Sequence, residues 1–327
     1  MKNKKKIIFV LVALLVPTII FAIINNLSKW HLSDLYCDVE FSKEGLNRVL
    51  SYNPEKEFSL FPRLNEKDFF KSINNLSICR RKEVRFFLYR YLTNDREYSI
   101  NSINNSFSIL PVIKQVFDKY PDMPKELMLL PLLESGFKTD AVSCAKATGL
   151  WQFMSATAKH FNLKNDYYVD ERRAIEKSTE AAVRHLRHLY SIYKNWELTL
   201  AAYNAGSGYI SNLLEKTQSN TFWSLLASGK LNRQTSEYVS RFAALIIIYQ
   251  NANALSIKNM IVKEKVKKVN FMEVACSEKI SDISKKYDVN IQLLKFYNPE
   301  IKGDKLPPYY PVYKILVPEN TSKVSSN

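Results

Sequence analysis

Glycine is scarce, at seven residues in 327, and that shortage argues against two broad classes. A phosphate-cradling nucleotide loop needs clustered glycines, and a many-stranded barrel uses them repeatedly. Cysteine is sparse as well. Cys37, Cys79, Cys144 and Cys276 lie far apart with no C-x-x-C pair, so neither a zinc site nor thioredoxin chemistry is indicated. An exported protein could form disulfides. Three pairings would then be open, but four solitary buried thiols are the simpler expectation. Of the four histidines, His185 and His188 are three apart on an expected helix. No third ligand at suitable spacing joins them, so a solvated helix face is expected there and no metal. Basic stretches interleaved with aromatics, zinc fingers and helix-turn-helix signatures are all missing, which argues against nucleic acid as a partner.

What is present points to a helical protein with a substantial core. Hydrophobic residues make up 46% of the chain, and Leu, Lys, Glu and Ala recur at helical spacing. The formal charge of +15 suits an acidic polymer or an anionic membrane surface as neighbour, and equally a lysine-rich coding habit. Lys2, Lys4, Lys5 and Lys6 precede an uncharged apolar run from Ile7 to Ile24, just long enough to span a bilayer. The positive-inside rule leaves everything after it outside the cytoplasm. Cleavage after Ala22 would place Ile20 where a small residue is wanted, so an uncleaved membrane anchor is favoured over a removed signal and a secreted form.

The expected organisation is a signal anchor over 1–26, a stalk and N-terminal helical region over 27–100, a main helical domain over 101–255, a small module over 262–320 and a tail over 321–327. Helices are expected from Lys82 to Leu92, from Phe107 to Tyr120, and from Pro124 to Glu134, with Pro131 as a kink and Gly136 as a stop. Ser178 reads as the N-cap of the next helix. A short buried helix over Leu198–Tyr203, closed by Gly206 and Gly208, and another over Tyr238–Tyr249 follow. Beyond Lys258 the texture changes to strand, helix, helix, strand, so the fold class is mainly α with a small α+β C-terminal module.

The residue that stands out for chemistry is Glu134, at the end of an apolar helix. Burial disfavours an ionised carboxylate, and a carboxyl still protonated near neutral pH can donate to a leaving oxygen. Alone, such a glutamate is more simply a helix end reaching solvent. Its company changes the reading: Glu134-Ser-Gly-Phe137 is followed by Ala141-Val-Ser143 and Gly149-Leu-Trp-Gln-Phe-Met154. Later come Asp170-Glu-Arg-Arg173, Glu176-Lys-Ser-Thr179 and Ala201-Ala-Tyr-Asn-Ala-Gly206. In order and spacing this set resembles the soluble lytic transglycosylase domain, and most nearly the membrane-bound lytic murein transglycosylase D family, over about Phe107 to Gln250.

The resemblance implies a lysozyme-like helical fold with a long groove for peptidoglycan glycan strands. It also implies cleavage of the β-1,4 bond between N-acetylmuramic acid and N-acetylglucosamine without water, leaving 1,6-anhydromuramic ends. Glu134 falls on the family's catalytic acid, serving as acid and then as base, where ordinary glycosidases use two carboxylates. By position, Ser143 and Gln152 would line the cleft and bond the sugars. Tyr203 would sit beside the glutamate and orient it, and Asn204 would hold its loop. Trp151 and Phe153 read as packing rather than sugar stacking. No cofactor is implied.

Two departures from the family pattern stand out. Cys144 and Lys146 replace a common proline and glycine, so that loop is expected to turn less tightly. Gln234-Thr-Ser-Glu-Tyr-Val239 carries an amide, Gln234, where the family has a cleft-facing acid; Glu237 lies one helical turn on. The C-terminal segment resembles a degenerate lysin motif through Ile280-Ser-Asp-Ile-Ser-Lys-Lys-Tyr287, Leu293-Leu294, Asn298-Pro299 and Ile315-Leu-Val-Pro318. Ser277-Glu-Lys279 stands where Gly-Asp-Thr is usual. Such modules bind N-acetylglucosamine-containing glycans; a structural cap is the other reading. Together these imply an enzyme of the bacterial envelope, with its soluble part facing the periplasm or wall. A catalytically weak wall-binding scaffold and a muramidase-type hydrolase of the same fold remain the alternatives.

Overall fold

A computed structural model describes residues 81–250 and 269–319. The apolar run Ile7–Ile24, the stalk, Cys37, Cys79 and the β-branched residues Ile261, Val262 and Val266 lie outside the described residues. Among the described residues no helix is long and apolar enough to cross a membrane.

Helix α1 (Lys82–Leu92) spans the expected residues and buries its stripe Val84, Phe87, Leu88 and Tyr91. Helix α2 (Arg96–Phe117) begins well before the expected Phe107 and carries Pro111 inside it. Ser99, Ser102 and Ser106 lie on its buried side, and each hydroxyl donates to a nearby carbonyl. Small hydroxyls bonded to backbone let a polar sequence pack against a core.

The long helix expected from Pro124 to Glu134 is two short pieces. A 3-10 turn over Lys125–Leu129 gives way to α3 (Pro131–Glu134). Pro131 has no N–H to give, and it is accommodated at the first position of the second piece. Helix α4 (Ser155–His160) follows, then α5 (Ile175–Tyr193). Ser178 is not the cap of α5: the cap is Ala174, and Ser178 is fully buried within the helix. The amphipathic stripe, not the hydroxyl, set where this helix begins. Helix α6 (Trp196–Ala205) is capped by the Asn195 side chain and ends at Gly206, while Gly208 falls inside α7 (Ser207–Thr217). Helix α8 is Phe222–Ala227 and α9 is Arg233–Gln250. From Tyr238 to Ile248 α9 is buried on every side, which makes it the central helix, packed against α1, α3 and α6.

The C-terminal module has the expected order: β1 (Val269–Ala275), α10 (Ile280–Lys286), α11 (Ile291–Tyr297) and β2 (Val312–Pro318), with the strands antiparallel. It has its own small core around Ile283, Leu294 and Ile315, which Val169 of the main domain enters. Conversely, Val269, Tyr297 and Leu316 join the large core. Backbone bonds cross the boundary, with Asp170 N–H on Glu300 C=O at 2.8 Å and Lys302 N–H on Tyr168 C=O at 2.9 Å. Linked domains usually move unless their interface is large and apolar. Here two shared cores and a backbone bridge fix the module in place.

Candidate active site

Helix α3 ends at Glu134, and three side chains pin the turn that follows. Tyr98 donates to Leu132 C=O at 2.7 Å, Ser135 to Leu150 C=O at 3.0 Å, and Asn105 to Gly136 C=O at 2.9 Å. Gly136 and Phe137 both have positive φ, at 61° and 58°. A Cβ on Gly136 would come within 2.9 Å of the Ser102 hydroxyl, so glycine is what this turn accepts. The carboxyl is thereby aimed into a groove of about 1730 Å³ with its backbone fixed.

Glu134, Ser143, Gln152, Tyr203, Asn204 and Gln234 all line that one groove. Their individual bonds are more specific than the sequence suggested. Tyr203 lies beside Glu134, but its hydroxyl donates to Trp151 C=O at 2.9 Å. The hydroxyl that donates to Glu134 Oε1 belongs to Tyr238 of α9. Gln152 uses its amide N–H groups on Gly149 C=O at 2.8 Å and Ala141 C=O at 3.4 Å, holding the loop between them. Asn204 Oδ1 accepts from Thr235 at 2.9 Å and ties α6 to the start of α9. Trp151 is fully buried, stacked on Phe117 and bonded to Thr179, and does not reach the groove; Phe153 is nearly buried against Phe161 and His185 but contributes to the groove lining.

Burial pushes the Glu134 carboxyl up to about 7, against the lowering pull of the Tyr238 hydrogen bond and the Arg241 charge. Arg241 is itself buried and bonds the Tyr91 hydroxyl at 2.9 Å. A carboxyl titrating near neutrality can both give and take a proton at physiological pH. Tyr238 and Arg241 carried no expected role in the sequence. The signal that could have found them is spacing: Gln234, Tyr238 and Arg241 stand at i, i+4 and i+7, one face of α9. Glu237, one position off that face, pairs with Arg233 at 2.8 Å and is not among the groove-lining residues.

His185 corrects another expectation. It is not on a solvated face but lines the groove among Phe153, Phe161 and Tyr203. Burial pushes its pKa down to about 4, so it is neutral. His188 is exposed, and no metal-holding cluster occurs among the described residues.

The loop over 143–147 turns tightly despite lacking the family's proline and glycine. Lys146 adopts φ of 65°, a conformation glycine favours. Its N–H bonds Ser143 C=O at 2.8 Å, and Ala147 N–H bonds the Ser143 hydroxyl at 3.0 Å. Arg172, paired with Asp170 through bonds of 2.9 and 2.8 Å, also donates to Lys146 C=O at 3.2 Å. Cys144 is disulfide-bonded, which corrects the expectation of four solitary thiols, while Cys276 is a free thiol. These ties hold a non-glycine residue in a glycine conformation.

Comparison with known proteins shows what this scaffold is similar to. Residues 111–226 match the model of the transglycosylase SLT domain. Over those residues the chain is similar to that domain. It is 31% identical over 208 residues to membrane-bound lytic murein transglycosylase D of Escherichia coli (strain K12), covering 62% of this chain and 44% of the relative. The same-named protein of Escherichia coli O6:H1 gives the same figures. A protein named for tributyltin chloride resistance, from Alteromonas sp. (strain M-1), is 37% identical over 100 residues, 29% of this chain and 48% of its own. The chain thus spans less than half the length of the relatives it matches. In the SLT domain Glu134 lies within the matched residues, whereas Tyr238 and Arg241 lie beyond them.

Proposed function

We propose that this protein is a peptidoglycan lytic transglycosylase that cuts between N-acetylmuramic acid and N-acetylglucosamine and leaves 1,6-anhydromuramic ends. The observation that carries the reading is a carboxyl raised to about 7 at the wall of a long groove, held by a tyrosine hydroxyl. Protonated Glu134 gives its proton to the bridging oxygen as the C1–O bond breaks, freeing a hydroxyl on the leaving N-acetylglucosamine. The muramic C6 hydroxyl attacks C1 and closes the anhydro ring, and its proton goes to the Glu134 carboxylate. The residue ends in the state in which it began, and no water is consumed.

A single carboxylate suffices for this cycle, whereas hydrolysis calls for two flanking the bond. The charged group that shifts Glu134 is Arg241; no carboxylate contributes among the described residues. Asp95, Glu97 and Asp140 also line the groove, so it is the products that separate a lone acid-base from a hydrolase. Tyr238 orients the carboxyl, Gln152 and Ser143 shape the loop that flanks it, and Asn204 fixes α6 against α9. Gln234 places an amide on the Tyr238 face and leaves Glu134 without an acidic neighbour from that turn. The C-terminal module retains the order of a lysin motif and belongs to the same wall-directed reading, as does attachment to the envelope membrane through the N-terminal apolar run. Purified protein incubated with sacculi, with products weighed by mass spectrometry, tests the reaction. Anhydro-muropeptides are expected. Products heavier by one water would assign a hydrolase, and no products at all would leave a scaffold.

A further inference from the structure

The groove that holds Glu134 is not built by the SLT domain alone. Lys295, Phe296 and Pro299, from α11 and its C-terminal end, also line it. Their orientation follows from what lies behind them. On α11, Leu294 is buried in the small core and Tyr297 in the large one, so the helix is gripped from both sides. Asn298 closes its end: its amide donates to Leu294 C=O and Leu316 C=O, both at 2.7 Å, and its oxygen accepts Leu316 N–H at 2.8 Å. Lys295 and Phe296 therefore have one direction left, outward into the groove. Phe296 is 42% exposed, and unlike exposed Tyr167 or Tyr309 it is part of the groove lining.

The module is also held against sliding. Tyr309 donates to Asp166 at 2.5 Å, Lys314 pairs with Glu176 at 2.5 Å, and the Lys164 ammonium lies 4.1 Å from the Tyr309 ring centre. These contacts and the backbone bridge at Val169 and Ile301 join the module to the 164–177 segment. A wall this firmly attached has a constant distance from the reacting bond.

We propose that the C-terminal module acts as a fixed distal subsite of the catalytic groove, in which Phe296 stacks on a sugar ring and Lys295 pairs with a stem-peptide carboxylate of the strand being cut. The occupant is the glycan strand itself, continuing along the groove from Glu134, and the inference rests on the reading of this protein as a glycan-cleaving enzyme. An exposed ring offers the apolar C–H face of a pyranose a flat partner, and an ammonium on the next residue meets the acidic peptide that muramic acid carries. The module then serves by extending the cleft rather than by tethering the enzyme to the wall at a distance.

The test uses the full chain carrying Glu134→Gln, so that strands bind without being cut. Binding of purified glycan chains is measured with stem peptides attached and with them removed enzymatically. Phe296→Ala should weaken binding of both chains about three- to tenfold. Lys295→Ala should weaken only the peptide-bearing chain, about two- to fivefold, and that effect should fade in high salt. Both side chains are exposed, so neither substitution threatens folding. If both variants bind like their parent while the wild type releases anhydro products, the subsite is wrong and the catalytic reading stands. If the parent binds neither chain and the wild type releases nothing, the catalytic reading falls and takes the subsite with it.

Discussion

Among the described residues, two glutamates are pushed to about 7 by burial, and they sit in unlike places. Glu134 opens on a groove and accepts a hydrogen bond from Tyr238, with Arg241 as the nearby charge. Glu300 is 5% exposed at the seam between the main domain and the C-terminal module, where Lys177 lowers its pKa and Glu171 and Glu176 raise it. One of its oxygens has no partner, and the buried Tyr313 hydroxyl also has none. A raised pKa therefore does not by itself mark the reacting group. Access to substrate separates the two, together with a donor that fixes the carboxyl's direction.

The largest expected effect comes from deleting one side of that contrast. Glu134→Gln keeps size and polarity but cannot exchange a proton, so release of muropeptides from sacculi should fall at least about a thousandfold. Turnover within tenfold of wild type would remove Glu134 from the chemistry. Glu300→Gln should leave the release rate as it is, because Glu300 is not part of the groove lining.

Next in size is Tyr238→Phe. Loss of the hydroxyl should cut the rate about ten- to hundredfold and also move the pH profile. Activity needs the protonated acid, so the wild-type rate should decline as pH rises through about 7. The Tyr238 bond lowers that pKa, so removing it should shift the alkaline limb to higher pH. An unchanged limb with a reduced rate would make Tyr238 a packing residue only.

The seam offers a smaller, thermodynamic effect. Glu300 has a folded pKa above its ordinary value, so its neutral form favours the folded state below about 4.5 and that advantage fades as pH rises through about 7. Melting temperature followed between the ordinary glutamate value of 4.5 and the folded value of about 7 should fall more, or rise less, in wild type than in Glu300→Gln. Equal slopes would show that Glu300 is relieved by other means when it ionises. Smallest is Lys146→Gly, which should stabilise the chain by about 1 kcal/mol by removing a left-handed non-glycine residue. A lower melting temperature would mean that the ties from Ser143 and Arg172 already cancel that cost.

The same contrast shows what a sequence can carry. Helices with clean periodicity, such as Lys82–Leu92, and the strand-helix-helix-strand order of the module were legible from side-chain pattern alone. The six expected site residues do converge on one groove. Hydrogen-bond partners were not legible, because they depend on which faces of distant helices meet. Tyr238 reaches Glu134 across 104 positions of sequence, and nothing local to either residue announces the contact. The tight turn at Lys146 was misjudged for a related reason: local propensity argued for a looser loop, and the Asp170–Arg172 pair, reaching in from another segment, overrode it. Ser178 resembled a cap only because its hydroxyl type is common at caps, whereas its burial follows from the helix stripe.

The central claim is a property of one proton, and it can be read without substrate. Carbon-13 NMR of protein labelled at glutamate side-chain carboxyls, with Glu134→Gln to identify the resonance, gives the titration midpoint of Glu134 directly. The account predicts a midpoint near about 7 that moves upward in Tyr238→Phe. A midpoint at the ordinary glutamate value of 4.5, unmoved by that substitution, would contradict it.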